Sequence, residues 1–152
     1  MDYSDKKVEI AAEVVQSFMT ISKVLVKYTQ QNATSLGLTL QQMGILNTIY
    51  SSPGITLKEI TEKLQLSKST VSVNVDDLVN AKLVERKTSA EDRREINLNL
   101  TAEGEELARK SCRNASSYKA MMSALATIPE EKIHWLLETH GQLLKNLQES
   151  EF

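Results

Sequence analysis

The chain has 152 residues, 41% hydrophobic and 25% charged, a composition that folds rather than stays disordered. A net charge of −2 excludes a uniformly basic protein that coats nucleic acid, and one cysteine excludes an intrachain disulfide. No apolar run reaches the length of a membrane span, and MDYSDKKVEI lacks the apolar stretch of a signal peptide, so a reducing, cytoplasmic setting is expected.

Charge is uneven along the chain. Thr56 to Arg94 holds eight basic and seven acidic residues, whereas Glu95 onward holds six and nine. The middle is therefore the least acidic part.

Residues Lys6 to Ser35 read as one long helix, with Val8, Ala12, Val15, Met19, Val26 and Ala33 at helical spacing. Ile10, Val14, Phe18, Ile21 and Leu25 widen the stripe. A helix cannot bury so broad a stripe alone; it needs the rest of the domain or a second subunit. Leu36-Gly37-Leu38 stops the helix, with Gly37 suited to a left-handed backbone.

Thr39 caps a second helix, and Gln42 three residues on completes a capping box. Leu40, Met43, Leu46 and Ile49 mark its inner face, and Ser51-Ser52-Pro53-Gly54 ends it. Thr56 opens a third helix with Glu59 as box partner and Leu57, Ile60 and Leu64 on the buried edge. After Gln65-Leu66, Ser67 caps a fourth helix that runs to about Asn80 and buries Val71, Val75, Leu78 and Val79.

The period then changes. Leu83 to Lys87 is extended and Ile96 to Leu100 alternates, which predicts a hairpin with a charged connection from Thr88 to Arg94. A fifth helix is expected from Thr101 to about Ala126. A last one begins at Pro129, the first helical residue, and carries Ile133, Leu136, Leu137, Leu143, Leu144 and Leu147.

Helix, short turn, helix, strand, charged loop, strand is the order of a helix-turn-helix with a wing. The fold class is thus mainly α with a small β-hairpin. The fourth helix presents Ser67, Lys68, Ser69, Thr70, Ser72, Val73 and Asn74 with no acid until Asp76. Small side chains let a backbone approach a major groove, hydroxyls and amides reach base edges, and Val73 suits a thymine methyl. The helix N-terminus favours phosphate. The plain alternative is a solvated face behind an N-cap. At the hairpin tip, Arg93 and Arg94 suit a narrow, electronegative minor groove, and Asp92 is placed to orient Arg94. Its plain alternative is a charged turn that keeps the sheet edge soluble.

The run from Thr56 to Gly104 resembles the MarR family of bacterial regulators. The residues that carry the likeness are Leu66-Ser67-Lys68-Ser69-Thr70-Val71-Ser72, Leu78, Leu83-Val84-Glu85-Arg86, Asp92-Arg93-Arg94, and Leu98-Asn99-Leu100-Thr101-Ala102-Glu103-Gly104. The flanking helices agree in number and order, so the likeness covers nearly the whole chain.

The resemblance implies a single domain. Residues 1–36 and 104–152 would supply dimerisation helices and residues 39–103 the DNA-binding lobe. It implies a homodimer on a palindromic operator of double-stranded DNA, a repressor in role, with release by a small-molecule effector. Arg94 matches the wing arginine, Asp92 its orienting acid, and Ser67 to Asn74 the recognition segment. The dimer also has a physical argument, because the terminal helices carry more apolar surface than a small winged lobe needs. Tyr28, Met43 and Trp135 are candidates for an effector pocket, with core packing as the default for each.

No metal or other cofactor is expected. His134 and His140 are six apart, about 240° around a helix, and Glu138 one turn from His134 reads as a surface partner. Met121 and Met122 read as packing. Cys112 lies among Arg109, Lys110 and Arg113, which favours a thiolate, but an idle thiol is the simpler reading. No nucleophile elbow, phosphate-binding loop or metalloprotease helix points to an enzyme. The competing class is a winged-helix protein-interaction module that binds no DNA.

Overall fold

The computed structural model describes residues 6–88 and 96–150. A 30-residue helix α1 (Lys6–Ser35) ends where Gly37 takes φ +71, and the amides of Leu36, Gly37 and Leu38 turn back onto the carbonyls of Ala33 and Thr34. Helix α2 (Leu40–Ser51) starts at the expected cap: the Thr39 hydroxyl accepts from the Gln42 amide, and the Gln42 side chain accepts from the Thr39 amide. Gly54, at φ +81, then turns the chain into a two-residue strand β1 (Ile55–Thr56).

Helix α3 (Leu57–Leu64) carries the second capping box, from Thr56 and Glu59. Helix α4 (Lys68–Asn80) follows, and β2 (Val84–Thr88) and β3 (Ile96–Leu100) form the hairpin. The sheet has three antiparallel strands in the order β1-β3-β2, with Ile55 opposite Leu98 and Arg86 opposite Leu98 on the other side. The third strand goes beyond the two-stranded hairpin that alternation predicts. Two residues are too short to show a period, and what recruits them is tertiary: the Gly54 amide also donates to the Leu98 carbonyl.

The core closes on α2. Ile45, Leu46, Ile49, Ile55, Ile60, Val71, Val75, Leu78, Leu83, Val84, Leu98 and Ala108 form one buried cluster. Ile45 lies off the face that spacing marks, yet it is fully buried, while Leu40 is only half-buried. Helix α2 packs on α4 and on α5 (Ala102–Arg113), and also on α3 and β3, so more than one side of it is covered.

The expected fifth helix is two. Helix α5 stops at Arg113, and α6 (Ser116–Leu125) restarts after Asn114 and Ala115. Asparagine competes with helical backbone through its own side chain, and Asn114 leaves helical geometry at φ −101, ψ 22. The Ser116 hydroxyl donates to the Asn114 carbonyl at 3.2 Å. The last helix, α7 (Glu130–Glu149), begins one residue later than expected, with Pro129 as its cap residue.

The chain forms two compact units, residues 1–116 and 117–152. In the first, α1 buries only Asn32 and Ala33. In the second, α7 buries no residue. No helix among the described residues is long and apolar enough to cross a membrane.

Candidate nucleic-acid interface

The turn between α3 and α4 is tight. Gln65 adopts φ 52, ψ 38, a left-handed conformation that lets its amide and that of Leu66 return to the carbonyls of Glu62 and Thr61. The chain then re-enters a helix at Ser67. The Ser67 hydroxyl accepts from the Thr70 amide at 3.1 Å and lies 2.9 Å from the Ser69 hydroxyl and 2.7 Å from the Thr70 hydroxyl. Three hydroxyls thus converge on the exposed first turn of α4.

Ser67, Lys68, Ser69 and Val73 are exposed, Val73 to 59%. An apolar side chain this open on a polar helix face is available to an outside partner. Thr70, Ser72 and Asn74 are half-buried. The Asn74 amide donates to the Thr70 carbonyl at 2.8 Å, so this donor is engaged within its own helix.

Both acids that end the acid-free stretch have partners. Asp76 accepts from the Arg86 guanidinium of β2 at 2.5 Å. Asp77 accepts from the Gln42 side chain of α2 at 3.4 Å. Periodicity gave no hint of either pair, because each joins residues distant in sequence. Arg86 thereby ties the base of the hairpin to the exposed helix. Beside this pair runs a groove of about 660 Å³, lined by Leu57, Lys58, Thr61, Lys68, Arg86 and Ile96 among others. Three cations face it, with Glu62 as an acid at its edge.

At the start of α3, the Glu59 carboxylate accepts from both the amide and the hydroxyl of Thr56, each at 2.8 Å. The backbone bond from Thr56 is the main cause that holds the Glu59 carboxyl below its ordinary value; the Thr56 hydroxyl comes next, and Lys63 and Lys58 add to it.

The strands that carry the wing are in place, but Asp92, Arg93 and Arg94 lie outside the described residues. The three pocket candidates differ: Met43 is buried at 5% exposure, Tyr28 is 37% exposed and Trp135 is 66% exposed. Met121 is half-buried and Met122 is exposed. Cys112 is exposed. The His134 ring pairs through Nδ1 with the Glu130 carbonyl at 3.0 Å, one turn back along α7 rather than forward to Glu138. Among the described residues no group of His, Cys, Asp and Glu is placed to hold a metal ion.

Comparison with known proteins agrees with this geometry. The family model described as MarR family matches residues 36–95. An uncharacterised HTH-type transcriptional regulator of Staphylococcus aureus is 25% identical over 134 residues, which cover 88% of this chain and 92% of that protein. The crystal structure of a multiple antibiotic-resistance repressor (MarR) from Listeria monocytogenes is 34% identical and superposes with a TM-score of 0.66 over 96% of this chain and 100% of that one. A mutant of S. aureus MepR bound to an oligodeoxyribonucleotide is 26% identical, with a TM-score of 0.58 over 88% of this chain and 97% of that one.

Proposed function

The chain belongs to the MarR family of helix-turn-helix transcriptional regulators, and on that premise we propose that it is a repressor that binds a palindromic DNA operator as a homodimer. The observation that carries the reading is the surface of α4. Its outer face opens with exposed Ser67, Lys68, Ser69 and Val73, is hydroxyl-rich and free of acid over its first two turns, and the acids that follow are answered by Arg86 and Gln42. Ser67, Lys68, Ser69, Thr70, Ser72, Val73 and Asn74 enter the major groove, with Lys68, Ser69 and Val73 as the leading contacts because they are exposed. Arg93 and Arg94 reach the minor groove, and Asp92 orients Arg94.

The dimer is supported by the apolar side chains that α1 and α7 each leave open, such as Val15 at 57% and Leu147 at 65% exposure. Two-fold symmetry then spaces the two recognition helices by about 34 Å, one turn of DNA, or a multiple of it. Residues 1–36 and 104–152 serve the dimer and residues 39–103 serve DNA. The repressor role rests on likeness to the Listeria repressor, and release by a small molecule on family likeness alone.

Fluorescence anisotropy with duplexes from upstream of the encoding gene tests this reading. Binding should weaken steeply as salt rises. Arg94→Ala should lower affinity about tenfold, the loss of one good groove contact, and leave the dimer intact. Binding to none of these duplexes at low salt would overturn the reading in favour of a protein-interaction module.

A further inference from the structure

Helix α1 spans about 45 Å at 1.5 Å per residue. Only its last turn is buried, at Asn32 and Ala33. One of these two anchors is a polar side chain at 5% exposure. The Asn32 amide donates to the Ser111 carbonyl at 3.0 Å. Ser111 lies in the last turn of α5, where carbonyls have no partner within the helix, so α1 supplies a bond that α5 cannot make for itself. The Ser111 hydroxyl, on a residue only 1% exposed, accepts from the Asn47 amide of α2 at 2.9 Å. Three helices therefore meet on one buried polar junction.

The junction is a poor source of stability. The Oδ1 atoms of Asn32 and Asn47 are both buried with no hydrogen-bond partner among the described residues. An unpaired buried acceptor costs free energy that an apolar side chain of the same size would not. A directional bond adds to the crossing angles that packing favours a requirement that two particular atoms meet. A tilt of about 5° at the junction moves the far end of α1, about 39 Å away, by about 3 Å. The apolar side chains proposed for the dimer lie along that arm, from Ile10 to Tyr28.

We propose that Asn32, Asn47 and Ser111 are positioning residues for DNA binding: they fix the angle of α1 against the winged lobe, and through the dimer fix the spacing of the two recognition helices. This inference rests on the reading that the protein binds DNA as a dimer.

The test is a series of palindromic duplexes that differ only in the spacer between half-sites. The full-length parent should favour one spacer at least tenfold over its neighbours. Asn32→Leu should stay dimeric by sedimentation, lose about tenfold at the favoured spacer, and lose little at the others. A variant that was merely destabilised would lose affinity evenly, so equal loss at all spacers, or no loss, overturns the proposal. If Asn32→Leu does not fold, the double variant Asn47→Leu with Ser111→Ala removes both partners of the second bond and runs through the same series under the same criteria. Should the parent bind no duplex, the DNA reading fails, and amide exchange decides the junction separately. Faster exchange along α1 with α4 unchanged supports it, and unchanged exchange in α1 overturns it.

Discussion

In the winged lobe, Ile45, Leu46, Ile49, Ile60, Val71 and Val75 are fully buried, and each of α2, α3 and α4 contributes to one shared core. Along α1 and α7 apolar side chains are as frequent, yet Val15, Ile21, Leu137 and Leu144 stand 57%, 52%, 61% and 58% exposed. The lobe satisfies its own hydrophobic pattern, whereas the two long helices leave theirs open. A helical stripe alone does not separate these cases; what separates them is whether the neighbouring elements are short, capped and close enough in sequence to close over it.

The sharpest way to break that contrast is inside the lobe. A Cβ on Gly104 would stand 2.0 Å from the Leu83 carbonyl oxygen, which is backbone and cannot swing aside. Gly104→Ala should therefore lower stability by about 2–3 kcal/mol, read by urea unfolding, despite the better helix propensity of alanine. An unchanged midpoint would mean that the contact between α5 and Leu83, the residue before β2, yields freely. The opposite behaviour is expected on α7. Leu144→Ala should change the unfolding of an isolated protomer by less than about 0.5 kcal/mol, as exposed substitutions do. In the proposed dimer it should raise the dissociation constant about tenfold, measured by sedimentation equilibrium, if that interface is where its methyl groups are buried. A large loss of protomer stability would show that α7 already has its cover.

The smallest effect tests a cap. Hydrogen bonds from Thr56 hold the Glu59 carboxyl below its ordinary value, so its contribution is complete above the unfolded value, about 4.3, and fades as pH falls through the lower folded value. Glu59→Gln keeps a side chain that can accept the same bonds and does not titrate. Melting temperatures of parent and variant should converge as pH drops from 6 to about 3. Parallel curves would remove Glu59 from the acid response of the lobe.

Local signals were the legible ones. Thr39 with Gln42, Thr56 with Glu59, and Ser67 at the start of α4 all cap as their position predicts, because a cap is decided within four residues. The end of α1 at Gly37 and the extended run from Ile96 to Leu100 were readable for the same reason. The rest depends on distant partners. Strand β1 exists through Leu98, the burial of Ile45 through elements on several sides of α2, and the Asp76–Arg86 pair through the packing of β2 beside α4. The outward set on α4 was legible as a set. The open position of Val73 was legible too, but that Asn74 spends its donor on Thr70 was not, because that depends on its rotamer.

Arg86 and Asp76 form an ion pair that adds no net charge to the face they share. Such a pair displaces no condensed counterion, so this arginine should be silent in the logarithmic salt slope that tallies phosphate contacts. Deleting both partners would leave that slope as it was. Deleting Arg86 alone would strip the mask from a carboxylate on α4 and turn a silent position into a repulsive one.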